Sequence, residues 1–190
     1  MISLLLGLGN VGKTYQHTRH NVGFDILEQF ATDYQIKSTE SCDEYYKAEI
    51  EVEKKPIILA LPTQFMNNSG YAATALLHRY SLTPQEMLVV VDDFNIPLGS
   101  LRIRKSGSDG GHNGLASIIE QLETDQFPRL RFGIGPLAED SSVIDFVLGK
   151  FEKEEQELVQ KMISLASDAT KCILTEGLEE AIKKYNKNPA

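Results

Sequence analysis

The residues of this chain best suited to chemistry stand around a histidine near the amino terminus. His20 lies between Arg19 and Asn21. A neutral imidazole can take a proton from water when a carboxylate fixes its tautomer and stabilises the imidazolium that forms. Asp92 is the candidate carboxylate; its neighbour Asp93 is not excluded by chemistry, although strand alternation would point the two side chains to opposite faces. These residue types predict hydrolysis by a base-activated water.

Three asparagines in separate loops add amide groups to this set. Asn10, Asn67 and Asn113 could bind substrate carbonyls or polarise a developing oxyanion. A single loop asparagine more often closes an Asx turn. Three of them in loops around a candidate base favour a functional role, and which of them serves the oxyanion stays open.

Other hydrolytic chemistries find less support in the sequence. His17-x-x-His20 could suggest a metal pair, but neither an H-E-x-x-H motif nor an obvious third ligand accompanies it. The chain has no G-x-S-x-G motif, and neither Cys42 nor Cys172 stands in a loop suited to a nucleophile. We therefore predict no metal ion, no cofactor and no covalent nucleophile.

A glycine motif near the amino terminus suggests a dinucleotide site, but its context contradicts that hypothesis. Gly7 to Gly12 spell G-x-G-x-x-G. A dinucleotide site needs a helix that opens directly after the glycines and an acidic residue that closes a second strand about 20 residues later. Residues 13–20 show no helical pattern, and the nearest acid, Asp33, falls within an amphipathic helix. We interpret the glycines as a sharp turn after a buried strand.

Apolar segments that alternate with helical patterns must position these residues. The runs that end at Leu6 and Val91 are typical of buried central strands. Ligands gather outside the carboxyl ends of such strands. The loops after Leu6, Leu61 and Val91, together with the glycine-rich loop 106–114, are therefore expected to share one cleft. The predicted strands are Ile2–Leu6, Tyr45–Val52, Ile57–Leu61, Met87–Val91, Leu101–Arg104 and Leu130–Ile134.

This alternation predicts the fold class. We expect an α/β fold in a single domain, residues 1–190, with a mixed, twisted central β-sheet flanked by helices in three layers and with helices at the carboxyl terminus. The first helix is expected to begin after Asn21, which takes the N-cap position.

Composition narrows the class of protein. The chain has 190 residues, of which 42% are hydrophobic and 24% charged, as in a packed globular protein. It has no apolar run of about 18 residues, no leader pattern and only two cysteines. We predict a cytoplasmic location and no membrane contact. The net charge of −8 argues against broad nucleic-acid binding, but residues 10–24 and 100–108 carry basic side chains and no acid.

Several motifs stand in the order of a known family. They are Gly7-Leu8-Gly9-Asn10-x-Gly12, Thr18-Arg19-His20-Asn21-x-Gly23, Phe65-Met66-Asn67-x-Ser69-Gly70, Asp92-Asp93 and Gly110-Gly111-His112-Asn113-Gly114. Any one of them would be weak, but in register they are specific. The chain resembles the bacterial peptidyl-tRNA hydrolase family over nearly its whole length.

The resemblance implies a monomeric esterase whose partner is peptidyl-tRNA. Such an enzyme cleaves the ester between the carboxyl carbon of a peptide and the 3′-terminal ribose of tRNA, and so recycles tRNA from abortive translation. By matched position, His20 would be the general base, Asp92 would stabilise it, and Asn10 would help to tell blocked from free aminoacyl groups.

The same resemblance implies a set of substrate contacts. The residues expected at the peptidyl-tRNA end are Tyr15, Phe65, Asn67 and Asn113. Those expected to line the cleft are Met66 and His112. Arg104 and Arg131 fall where the family places basic residues for the tRNA 5′ phosphate. A lid-like segment is expected at about 136–150, and a flexible tail at 186–190.

Some positions depart from the family pattern. Val11 replaces a frequent Pro, Asn95 a frequent Asp, and Asp109 a small residue, so that Asp109 adds negative charge to a loop expected to approach RNA. None of them is a proposed base or amide. An RNA-binding module of the same fold without hydrolysis is the remaining alternative, and the complete set of His20, Asp92 and asparagines argues against it.

Overall fold

A single sheet organises the molecule. The computed structural model describes residues 1–138 and 140–186. These form a seven-stranded sheet in the order β2-β3-β4-β1-β5-β7-β6. The strands are β1 (Leu4–Gly7), β2 (Ser38–Ser41), β3 (Tyr45–Val52), β4 (Lys55–Pro62), β5 (Met87–Pro97), β6 (Leu101–Arg104) and β7 (Arg129–Gly135).

The centre of the sheet is parallel and its edges are antiparallel. Strand β1 pairs in parallel with β4 and β5, and β5 pairs in parallel with β7. The outer pairs β2–β3, β3–β4 and β6–β7 are antiparallel. The prediction of a mixed sheet is therefore confirmed, and the carboxyl ends of β1, β4 and β5 open onto the same edge.

Helices cover both faces and complete three layers. The helices are α1 (Val22–Thr32), α2 (Ser69–Tyr80), α3 (Asn113–Leu122), α4 (Val143–Leu148), α5 (Gln156–Thr175) and α6 (Leu178–Tyr185). Leu5 of β1 packs with residues of α1 and α5 in one core, while Leu4 and Leu6 pack with residues of α2 and α3 in the other. Successive side chains of β1 therefore pack into two different cores on the two faces of the sheet. This explains why β1 is apolar throughout.

Strand β5 is longer than the sequence predicts. It was expected to end at Val91, but it continues to Pro97 with an irregularity after Asp93. The extension depends on glycines in β7, because a Cβ at Gly133 or Gly135 would collide with the backbone of β5. Asp92 and Asp93 therefore lie within a strand and not in a loop.

The predicted lid and tail are partly covered by the structure. Helix α4 forms part of the lid-like segment, in which Glu139 lies outside the described residues. Asn186 of the predicted tail lies against β6, where its side chain donates to the Ile103 carbonyl (2.9 Å) and accepts from the Ile103 N–H (2.6 Å). Residues 187–190 lie outside the described part. Within the described ranges, no helix combines the length and apolarity needed to cross a bilayer.

Candidate active site

Three distant segments bring two imidazoles to one carboxylate. His20 lies in a short 3-10 turn before α1, Asp92 lies in β5, and His112 occupies the N-cap position of α3. The three residues are 6%, 2% and 6% exposed, respectively. The predicted partnership of His20 and Asp92 is present in the structure, with Nδ1 of His20 2.8 Å from Oδ1 of Asp92.

The hydrogen bonds fix the tautomer of each imidazole. Nδ1 of His112 accepts from the N–H groups of Gly114 (3.1 Å) and Leu115 (3.2 Å), so its proton must be on Nε2, which donates to Oδ1 of Asp92 (3.1 Å). Neutral His20 donates its Nδ1 proton to the same oxygen. Its Nε2 has no hydrogen-bond partner among the described residues and is therefore free to accept a proton.

The charge on Asp92 is stabilised by these two rings. Burial alone raises the pKa of the Asp92 carboxyl, but the neighbouring His20 and His112 outweigh that effect and hold the pKa well below its ordinary value. The carboxylate is therefore already ionised at any pH at which an imidazole base would work. An ionised Asp92 stabilises an imidazolium at His20.

Asn10 is held so that only one end of its amide is free. The Met66 N–H donates to Oδ1 of Asn10 (2.8 Å). Because that donor is a backbone group, it settles which end of the amide is oxygen. No described residue accepts from Nδ2 of Asn10, and Nδ2 is not sealed in the interior. Asn10 therefore offers the cleft a donor and no side-chain acceptor.

Asn21 ties the Asn10 loop to the His20 turn. Its Nδ2 donates to the Asn10 carbonyl and its Oδ1 accepts from the Asn10 N–H, both at 2.9 Å. Asn21 does take the N-cap position of α1, as predicted, but its side chain makes no capping bond there. The expectation of a side-chain cap is corrected, because the amide is fully used by the backbone of Asn10.

The remaining predicted contact residues form a floor and a rim. Met66 is buried, and its Sδ lies under Gly114, where any Cβ would collide with it. Asn67 and Asn113 are exposed. The rings of Tyr15 and Phe65 meet edge-on with centroids 6.3 Å apart. Phe65 is 54% exposed, so much of its ring is open to solvent.

The two predicted phosphate contacts differ in their surroundings. Arg104 lies exposed on edge strand β6. Arg131, on β7, forms an ion pair with Asp93. The sequence could not reveal this pair, because the two residues are far apart in the chain. Asp109, the acidic departure in the glycine-rich loop, accepts from the Gly111 N–H (2.8 Å) and so helps to shape the loop.

Sequence reasoning also missed the role of Arg19. Its guanidinium lies between the rings of Phe146 and Phe151, with its Cζ 4.7 and 5.1 Å from their centroids. It donates to the Lys150 carbonyl and to the Glu155 carboxylate. The residue before His20 is thereby fixed to the segment that joins α4 to α5. The signal available in the sequence was that Arg19, a basic residue, stands next to the candidate base His20.

The three central groups are also the described residues best placed to hold a metal. The ligand atoms of His20, Asp92 and His112 lie within 4.8 Å of one another. An ion bound among them would have to replace both hydrogen bonds to Asp92. The ring nitrogens now stand at ordinary hydrogen-bond distances from the carboxylate. The sequence-based expectation of no metal stays a prediction.

Comparison with known proteins identifies a family for this chain. The family model described as Peptidyl-tRNA hydrolase matches residues 4–190. Proteins named peptidyl-tRNA hydrolase from Dehalococcoides mccartyi and Synechococcus elongatus are each 44% identical to this chain; the matches cover 97% of it and 100% and 92% of those proteins. The crystal structure of peptidyl-tRNA hydrolase from Acinetobacter baumannii superposes with a TM-score of 0.90 at 33% identity, covering 97% of this chain and 94% of that one. The chain belongs to the peptidyl-tRNA hydrolase family.

Proposed function

We propose that this protein hydrolyses the ester between the peptide and the 3′-terminal ribose of peptidyl-tRNA, with a water molecule activated by His20. Family membership supports the substrate and the reaction. The observation that carries the mechanism is the tautomer of His20. Its Nδ1 is bonded to a buried carboxylate while its Nε2 has no partner among the described residues.

The reaction needs no covalent intermediate. His20 Nε2 takes a proton from water as the oxygen attacks the ester carbonyl, and Asp92 stabilises the resulting imidazolium. The tetrahedral intermediate then collapses and expels the ribose 3′ oxygen, which takes the proton back from the imidazolium. An alcohol leaves readily enough for base-activated water to suffice. His112 donates to the same oxygen, Oδ1 of Asp92, and so helps to hold the carboxylate against His20.

The free donor on Asn10 accounts for selection of blocked substrates. A peptide carries an N-acyl carbonyl next to the scissile ester, and that oxygen can accept from Nδ2 of Asn10. A free aminoacyl group presents an ammonium there, which cannot accept and leaves the donor unmet. An unmet hydrogen bond in a closed cleft costs about 1–3 kcal/mol, or about 5- to 150-fold in discrimination. Asn67 and Asn113 stand on the rim to support the oxyanion.

The other predicted residues divide between the two parts of the substrate. Tyr15 and Phe65 expose ring surface suited to stacking on the unpaired bases at the 3′ end of tRNA. Arg104 and Arg131 supply charge for phosphate. Met66 forms the apolar floor. The monomeric state and the cytoplasmic location stay predictions.

Incubation with two matched tRNAs tests the proposed reaction. We expect release of N-acetyl-aminoacyl groups and no comparable release of the same free aminoacyl groups. Binding of tRNA with release from neither would contradict the proposal and favour the RNA-binding module. N-acetylprolyl-tRNA isolates the role of Asn10, because it has an acyl carbonyl but no amide N–H. We expect it to be cleaved at a rate within a few fold of other N-acetyl substrates.

A further inference from the structure

The carboxylate next to Asp92 has a separate set of partners. Asp93 is 5% exposed. None of its described contacts is with His20 or His112. Its Oδ2 forms an ion pair with Nη2 of Arg131. Strand alternation explains the division, since successive side chains of β5 point to opposite faces of the sheet.

The hydrogen bonds of the Asp93 carboxylate are on its other oxygen, since Oδ2 has none among the described residues and contacts Arg131 through the ion pair alone. Oδ1 accepts from the backbone N–H of Asn95 (2.8 Å) and from its Nδ2 (3.2 Å). The same Nδ2 also donates to the carbonyl of Gly110 (3.1 Å). An Asp at position 95 could not donate either side-chain bond. The network joins β5 to the glycine-rich loop that carries His112.

The Arg131 guanidinium is confined between this carboxylate and the loop. Gly110 has a φ of 61°, and a Cβ there would lie 3.1 Å from Nη2 of Arg131. The Arg131 side chain is 25% exposed, and Asp93 is its ionic partner within the described residues. Its inner edge is therefore held while other N–H groups remain available.

A second arginine on the same strand provides a contrast. Arg129 is 1% exposed, and its guanidinium donates to the carbonyls of Gly107, Ser108, Asp125 and Phe127. These bonds occupy the donors of the Arg129 guanidinium, and two of them fix the glycine-rich loop to β7. Of the two, only Arg131 is presented for an external anion.

We propose that Asp93 is a positioning residue that holds the Arg131 guanidinium ready for the tRNA 5′ phosphate. The inference rests on the proposed function and on Arg131 as a phosphate contact. A free arginine side chain has rotamer entropy that binding would have to overcome. Asp93 restricts that freedom before the substrate arrives, and the guanidinium then binds phosphate through its remaining donors.

A mutant cycle on two substrates tests this role. The variants are Asp93→Asn, Arg131→Ala and the double mutant. The substrates are full-length N-acetyl-aminoacyl-tRNA and the same acyl group on a CCA trinucleotide, which has no acceptor stem. We expect Asp93→Asn to raise KM for the full tRNA about fivefold with kcat within about twofold. It should leave trinucleotide cleavage unchanged and add nothing to the KM of Arg131→Ala.

Asp109→Asn is the matched control for charge. It removes one acid from the glycine-rich loop without touching Arg131, so it should not raise KM. Binding of deacylated tRNA gives a second readout. Wild-type protein should prefer 5′-phosphorylated over dephosphorylated tRNA, and Asp93→Asn should weaken that preference as far as Arg131→Ala does.

Three results would overturn the inference. They are an unchanged or lowered KM in Asp93→Asn, additive effects in the double mutant, and an equal loss on the trinucleotide. If Asp93→Asn does not fold, Asp93→Glu serves instead. It should keep the ion pair but displace the guanidinium, so loss of the 5′-phosphate preference with trinucleotide cleavage retained is still expected. Absence of hydrolysis by the wild-type protein would instead refute the proposed function.

Discussion

Two adjacent aspartates of β5 support two different regions of this molecule. Asp92 is shared by two buried imidazoles, His20 and His112, at 2.8 and 3.1 Å. Asp93 holds the part-exposed Arg131. A base needs a protected carboxylate that stabilises its charged form, whereas a phosphate contact must remain open to solvent. Because successive side chains of β5 point to opposite faces of the sheet, one aspartate supports the base and the next supports the phosphate contact.

The two regions meet at the glycine-rich loop. His112 reaches Asp92 from the end of this loop, and Gly110 lies against Arg131. Arg129 fixes the loop from the sheet side. A rigid loop can therefore keep the phosphate contact and the base at a constant separation. This suits a substrate whose 5′ phosphate and 3′ ester belong to the same tRNA end.

The largest expected effect is on the base itself. His20→Ala should lower kcat about 10³-fold, because a positioned general base contributes on the order of 10²- to 10⁴-fold. Affinity for tRNA should stay within a few fold, since Arg104 and Arg131 are untouched. Single-turnover cleavage and filter binding measure the two quantities. His17→Ala is the matched control, as His17 is 76% exposed and should be neutral. A near-normal rate in His20→Ala would remove His20 from the mechanism.

Asn10 should affect selectivity more than binding. Asn10→Ala removes the free donor and should lower kcat/KM for N-acetyl-aminoacyl-tRNA by about 10- to 100-fold. The slow cleavage of free aminoacyl-tRNA should change little, so the ratio between the two substrates should fall. Parallel assays on the two tRNAs measure that ratio. A fall in both rates by the same factor would show that Asn10 serves the oxyanion and not selection.

His112 should have a smaller effect through Asp92. His112→Asn keeps an N-cap for α3 but cannot reach the carboxylate, so kcat should fall about tenfold from loss of one bond to a charged group. Thermal unfolding checks that the helix is intact. If kcat is unchanged in a folded variant, then one imidazole alone is enough to orient Asp92.

The smallest expected effect concerns Arg104. Arg104→Ala should raise KM a few fold and reduce the slope of log KM against log salt by about 0.7–0.9, the share of one phosphate contact. Lys161→Ala, on the exposed face of α5, is the control for loss of one positive charge. An unchanged slope would exclude Arg104 as a phosphate contact.

The sequence predicted the elements better than it predicted their partners. The apolar runs of β1, β4 and β5 and the loops after β1 and β4 were found, because burial on both faces makes such strands continuous in hydrophobicity. Strand β2 was missed, since it is a short polar edge strand. The end of β5 was wrong because glycines of β7, distant in sequence, permit the extra pairing.

The motifs identified residues of which several make contact in the structure, but they did not predict the hydrogen bonds between them. Asn21 was assigned to a helix cap, although its amide binds Asn10. His112 was expected only to line the cleft, although it bonds to Asp92. Such contacts depend on the angles at which loops leave the sheet. Local propensity does not determine those angles.

The division of labour between the two aspartates is tested most directly by one pair of variants in one assay. Steady-state cleavage of N-acetyl-aminoacyl-tRNA should be measured for Asp92→Asn and Asp93→Asn across pH. We predict that Asp92→Asn lowers kcat at least about 100-fold and moves the acid limb of the profile to lower pH, because the imidazolium loses its carboxylate. Asp93→Asn should raise KM and leave kcat and the profile in place. The reverse assignment, or equal losses of kcat in both variants, would contradict the account.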